Sequence, residues 1–237
     1  MPALAPVPLG AVLLDLDGTL IDSFPGIASA YHHVLDYLDV GDMDDADLRQ
    51  FVGPPVQEVL SSHFGLSGKQ LDDAIGVFRA HYGTEGLFRF EAYPGIEEML
   101  TTLHRHGLGL YIATSKLQTM ATEVIEHAGW SELITFVGGA APDGSRHLKK
   151  DVIEWTVQNI ANDAPVVAMV GDRAQDLEAA RAVGLRSIGV TWGFGTVAEL
   201  SGAEPSTIVA TPADLVDALL RLGEGEPRPS RADTPVR

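Results

Sequence analysis

The chain has 237 residues and a mass of 25.2 kDa, about 1.6 units of ~150 residues, which fits one large domain or one domain carrying an insertion. Hydrophobic residues at 45% and charged residues at 21% exclude a wholly disordered, collagen-like or coiled-coil chain, and zero cysteines exclude disulfides, thiolate metal sites and cysteine nucleophiles. With 16 basic against 33 acidic residues the net charge is −17, so duplex nucleic acid and anionic lipid are poor partners, because both are held by lysine and arginine on phosphate.

No run approaches the ~20 apolar residues that span a bilayer, and residues 1–14 lack a positive n-region and a small-residue cleavage site. A soluble, cytoplasmic protein is expected. Residues 10–16 (GAVLLDL) form a continuous apolar run, as in a strand buried on both faces. Similar runs recur at 108–113, 133–137, 165–170, 186–190 and 207–210, separated by helical periodicity. That alternation predicts an α/β chain with a parallel sheet wrapped by helices. Tyr93-Pro94-Gly95 opens a helix over 96–106 that Gly107 closes, and Gly129 and Gly184 end two more.

Between Asp22 and Ala92 the rhythm changes: helical segments at 27–38, 55–64 and 70–81 follow one another with no strand-like run between them. An all-helical cap over the sheet's carboxyl edge is expected there. The expected division is an α/β core of residues 1–21 and 92–222, a helical cap of 22–91 and a disordered tail of 223–237, rich in proline, glycine and charge. The tail's acids (Glu224, Glu226, Asp233) and bases (Arg228, Arg231, Arg237) cancel, so the −17 sits on the folded body.

Polar clusters stand at the ends of the expected strands: Asp15-Leu16-Asp17-Gly18-Thr19, Thr114-Ser115-Lys116, and Gly171-Asp172 with Asp176. In an open parallel sheet, ligands bind outside those carboxyl ends, so clusters distant in sequence converge. Asp15 and Asp17, two apart in extended backbone, project to one side. Such a pair suits attack on phosphorus by one carboxylate and proton transfer by the other. Four carboxyl groups near a phosphate, each close pair costing on the order of 4 kcal/mol at an effective dielectric of ~20 and ~4 Å, need a cation, and oxygen-only ligands suit Mg²⁺. Lys149 or Lys150, ahead of a helix expected near Asp151, would complete the neutralisation, and the Thr114 hydroxyl could donate to a phosphoryl oxygen.

In these residues the chain resembles the haloacid dehalogenase-like hydrolase superfamily, in the branch similar to phosphoglycolate phosphatases with a helical cap. Asp15 to Thr19 matches the first motif, Thr114-Ser115-Lys116 the second, a lysine before Asp151-Val152-Ile153 the third, and Gly171-Asp172 with Asp176 the fourth. Asp22-Ser23, Tyr93-Pro94-Gly95 and Trp192-Gly193-Phe194-Gly195 resemble further segments of that branch. The resemblance implies a Rossmann-like core and a Mg²⁺-dependent phosphatase acting on a small phosphorylated metabolite through an aspartyl phosphate. It implies Asp15 as nucleophile and metal ligand, and Asp17 as general acid and base with its main-chain carbonyl on the metal. Asp172 would be a metal ligand and Asp176 would orient the metal shell or the lysine. Asp15, Leu16, Asp17, Thr114, Ser115 and a lysine would surround the phosphoryl group. The third motif reads Lys149-Lys150-Asp151 rather than the frequent Lys-Pro, and the resemblance to the branch's pattern of lysine, any residue, an acid and Val-Ile favours Lys149.

A phosphomutase or a pyrophosphatase would share much of this machinery, whereas a metal-independent dehalogenase would have no need of the Asp17, Asp172 and Asp176 cluster and a non-catalytic scaffold no need of both Asp15 and Asp17. A phosphonatase would need a cap lysine, and Lys69 alone lies between Asp22 and Ala92, far along the cap. Lys116 reads as a solvated or structural neighbour, Phe24, Arg49 and Phe51 as candidates to face the substrate or merely to pack, and His104 and His106 as partners of a helix carboxyl end. Gly65 to Lys69 lacks P-loop spacing and no Gly-x-Ser-x-Gly occurs.

Overall fold

The computed structural model describes residues 10–160 and 164–224. Among these, β1 (Gly10–Leu14), β4 (Leu108–Leu117), β5 (Ile134–Ala140), β6 (Val166–Gly171), β7 (Ser187–Val190) and β8 (Thr207–Val209) form one parallel sheet in the order β5-β4-β1-β6-β7-β8. Parallel neighbours need crossovers, and helices supply them: α5 (Ile96–Arg105), α6 (Gln118–His127), α7 (Lys149–Gln158), α8 (Ala174–Ala182) and α9 (Val197–Gly202), while α10 (Pro212–Glu224) follows β8. The architecture is the expected α/β sheet core with a helical insertion.

Every residue of β1 is buried because the strand has a core on each face. Val12 and Leu14 face one side with Leu110, Ile112, Ala168 and Val170. Ala11 and Leu13 face the other with Tyr111, Ala113, Val152, Ile153 and Met169. This is why the sequence shows unbroken apolar runs there rather than alternation.

The chain leaves the sheet at β2 (Ile21–Asp22) and returns at β3 (Glu91–Ala92), two short strands that pair antiparallel. Between them run α1 (Phe24–Leu38), α2 (Asp45–Arg49), α3 (Val56–Ser62), α4 (Gly68–His81) and a π-helical turn at Tyr82–Gly86. Three features here have no expected counterpart, the π-helical turn among them. The five-residue α2 is too short for periodicity to register, although Asp44 caps it by accepting from the Asp47 N–H at 2.9 Å. The β2–β3 ladder is a tertiary pairing of two dipeptides. Tyr31, Phe51 and Phe78 form the insertion's aromatic centre, with ring centroids 5.2 and 4.9 Å from Tyr31.

Other differences concern element ends. β1 stops at Leu14, before the first acidic cluster, and β4 runs on to Leu117 because Leu117 pairs with Ala140 after a register shift. α7 starts at Lys149, with extended Leu148 before it, so both candidate lysines lie in the first helical turn rather than ahead of it. α10 continues through Gly223 and Glu224, since Leu215, Ala218 and Leu219 anchor it to the core; the rest of the expected disordered tail lies outside the described residues. No helix among the described residues is long and apolar enough to cross a membrane.

Leu110 is fully buried in β4, beside the central strand. Leu110→Ala should cost about 2–5 kcal/mol, the range for a core leucine replaced by a cavity, read as a lower urea midpoint with an unchanged slope.

Candidate active site

The carboxyl ends of β1, β4 and β5 and the facing insertion border a cavity of about 520 Å³. Its sheet side carries Asp15, Asp17, Thr114, Ser115 and Lys116, and its insertion side Ile27, Tyr31, Phe51, Ile75, Phe78 and Tyr82.

Asp15 follows β1 directly, and its N–H donates to the Val170 carbonyl at 2.9 Å. Asp172 follows β6, and Asp176 lies in the first turn of α8, where its Oδ2 accepts from the Arg173 N–H at 3.1 Å. Carboxylate oxygens of these three buried residues lie within 4.8 Å of one another. Lys149 reaches them from α7, its Nζ 2.5 Å from Asp15 Oδ1 and 2.7 Å from Asp176 Oδ1. Lys150, one residue on, is half exposed and stands 3.6 Å from Glu154. The helical turn thus decides which lysine meets the cluster.

Three carboxylates against one ammonium leave an excess of negative charge. Burial pushes the Asp15 carboxyl up to about 7, Lys149 opposes this, and Asp176 and Asp17 add to it. Asp172 is raised well above the carboxylate range, first by burial and then by Asp176 and Asp15. Burial disfavours the Lys149 ammonium, yet Asp15 and Asp176 outweigh it and the net shift is upward. An all-oxygen donor set with uncompensated charge fits a hard divalent cation.

Asp172 is gripped rather than free. Its Oδ2 accepts the Phe194 N–H at 2.8 Å and its Oδ1 the Thr19 hydroxyl at 3.3 Å. A Cβ on Gly193 would overlap the Gly18 carbonyl and the Asp172 carboxylate, and one on Gly18, whose φ is +86°, would strike the same carboxylate. Two glycines are therefore required for the close approach. Trp192 Nε1 donates to the Thr19 carbonyl at 3.0 Å and fastens this loop to the first cluster.

Asp17 turns elsewhere. Its Oδ1 accepts from Lys116 Nζ at 2.7 Å, so its carboxylate is not among the three gathered ones. Only its main-chain carbonyl is left for the metal role the resemblance implies. Thr114 is buried at the cavity wall and its Oγ1 accepts the Lys116 N–H at 3.3 Å. Ser115 Oγ is buried with no hydrogen-bond partner among the described residues. Leu16 lies in the core, so only its backbone can serve a ligand.

Of the cap candidates, Phe51 lines the cavity, while Arg49 stacks over Phe24 at 4.1 Å beside a separate outer groove. Lys116 is buried, not solvated. Its Nζ also donates to Tyr82 Oη at 2.6 Å, and nothing in the sequence marks that tyrosine. His106 Nδ1 lies 2.8 Å from the Thr102 carbonyl at the end of α5.

The family model for haloacid dehalogenase-like hydrolases matches residues 12–190. Among curated proteins, the chain is 35% identical to the tyrosine-protein kinase PtkA of Mycobacterium tuberculosis over 209 residues, 88% of this chain and 70% of that protein. It is 32% identical to a 5'-nucleotidase of Pseudomonas aeruginosa over 208 residues, 88% of this chain and 94% of that protein. Among solved structures, a predicted phosphatase from Clostridium acetobutylicum superposes with a TM-score of 0.84 at 34% identity, covering 90% of this chain and 98% of that one.

Because its folded pKa is raised, Asp15 contributes stability that is complete below about pH 4 and is lost as pH rises through about 7. A bound divalent cation offsets that loss, so the rise in melting temperature on adding one should be larger at pH 8 than at pH 5.5, measured by scanning calorimetry. Gly193→Ala pushes on Asp172 and should shrink that rise by at least half while the circular dichroism spectrum is kept.

Proposed function

The chain belongs to the haloacid dehalogenase-like hydrolase family, and from that premise we propose that it is a Mg²⁺-dependent phosphatase of small phosphate monoesters working through an aspartyl phosphate. The observation that carries this reading is the buried Asp15 carboxylate at the cavity wall, 2.5 Å from Lys149 and grouped with Asp172 and Asp176.

In the first half-reaction an Asp15 carboxylate oxygen attacks phosphorus, and the ester P–O bond breaks as the new one forms. Asp17 gives its proton to the departing alkoxide. In the second half Asp17 takes a proton from water, the resulting hydroxide attacks phosphorus, and inorganic phosphate leaves with the Asp15 carboxylate restored. The Lys149 ammonium balances charge on the phosphoryl oxygens, and the Thr114 hydroxyl donates to one of them. Mg²⁺ held by Asp15 and Asp172, with Asp176 behind them, would supply the missing positive charge and keep Asp15 ionised at neutral pH.

The cavity supports a substrate larger than a two-carbon phosphate, and its aromatic insertion wall suits a leaving group with apolar surface. Phosphoryl transfer to protein tyrosine, the activity named for the mycobacterial relative, would differ in both the phosphoryl donor and the acceptor.

Asp15→Asn should lower phosphate release from a monoester panel by at least 10³-fold with the fold intact. EDTA should abolish turnover and Mg²⁺ restore it. A folded Asp15→Asn variant with substantial turnover, or activity that survives metal stripping, would reject the reading.

A further inference from the structure

We propose that Lys116 is a positioning residue for Asp17, itself held in place by Tyr82 of the helical insertion. The inference rests on the phosphatase reading and assigns two residues to its acid–base step.

Lys116 stands at the end of β4 with its side chain 5% exposed. A buried ammonium needs partners for its protons, and two are present: Asp17 Oδ1 at 2.7 Å and Tyr82 Oη at 2.6 Å. The ammonium also lies 5.0 Å from the centre of the Tyr82 ring. Two of its three protons are thereby committed within the protein. With Oδ1 occupied, the Asp17 carboxylate has a fixed plane, and Oδ2 is left to carry the transferred proton. A carboxylate on a loop after a strand, without such a hold, would sample several rotamers.

The placement of Tyr82 is decided by the insertion, not by the sheet. The residue opens the π-helical turn, in which the Leu87 N–H donates to the Tyr82 carbonyl at 2.7 Å. Such turns are uncommon and concentrate at functional positions. This one packs against α1 so closely that a Cβ on Gly26 would overlap the Gly86 carbonyl, and one on Gly86 would press on the Tyr82 ring and the Gly26 backbone. Phe78, one helical turn earlier, stacks on the Tyr82 ring with centroids 5.7 Å apart and planes 19° apart. The phenol therefore arrives at Lys116 from a rigid setting, and the insertion contributes to the chemistry through Lys116 as well as walling the cavity.

Esters with different leaving groups separate this role from simple structural support. p-Nitrophenolate departs without a proton, whereas an alkoxide needs one as its P–O bond breaks. Turnover of p-nitrophenyl phosphate and of glycerol 1-phosphate is measured for the wild type, Lys116→Met, Lys116→Arg and Tyr82→Phe, each checked for its melting temperature. Lys116→Met should lower kcat/KM, which reports the first half-reaction alone, by about 100-fold or more on the alkyl ester and by less than 10-fold on the aryl ester. Tyr82→Phe, which removes one oxygen, should shift the same ratio by about 10-fold, and Lys116→Arg should recover part of the alkyl turnover. Equal losses on both esters, or unchanged alkyl turnover, would overturn the inference while leaving the phosphatase reading intact. A wild-type chain that hydrolyses neither ester would remove both.

Discussion

Three buried carboxyl groups share a single ammonium. Asp15, Asp172 and Asp176 would repel one another strongly at the separations observed, and Lys149 balances only one of the three charges. The arrangement persists because the surrounding fold over-determines each side chain: Asp15 by its backbone bond to β6, Asp172 by the Phe194 amide and Thr19, and Asp176 by its cap on α8. What remains uncompensated is a demand for a further positive charge at one point in space. The same crowding makes the donor set one that fits a small hard cation.

Close backbone approach is the means by which this crowding is built. Gly18, Gly171 and Gly193 stand where a methyl group would collide with Asp172 or Asp176, so segments far apart in the chain meet around one carboxylate at distances only glycine permits. The insertion has its own version of the device, at Gly26 and Gly86, and its product is the seat of Tyr82. Arg173, next to Asp172, gives the insertion a second tie: its guanidinium donates to the Val52 carbonyl while its Nε pairs with Glu199 at 2.9 Å. The insertion is thus tied to the core at two points, through Lys116 and through Arg173.

Much of this was legible in the residues alone. Unbroken apolar runs betray strands buried on both faces, and the acidic and hydroxyl clusters at their ends fall where a parallel sheet exposes its carboxyl edge. Two things were illegible for a definite reason. Whether Lys149 or Lys150 meets Asp15 depends on a rotation of about 100° about the axis of α7, which adjacent identical side chains cannot encode, so the preference for Lys149, the lysine found at Asp15, came from the family resemblance alone. Lys116 reads as an unremarkable neighbour of Thr114, because its partners Asp17 and Tyr82 lie 99 and 34 residues away.

By itself the sequence determined the alternation of strand and helix, the helical interruption after the first strand, and the stock of carboxylates, hydroxyl and lysines available at the sheet edge. These are local properties, written in periodicity and in residue type. Only the tertiary structure decided which oxygens come within 4.8 Å of one another, which lysine neutralises which aspartate, and which aromatic of the insertion touches the site. Those outcomes depend on helix phase, strand order and contacts between glycine backbones, which arise only when distant segments pack.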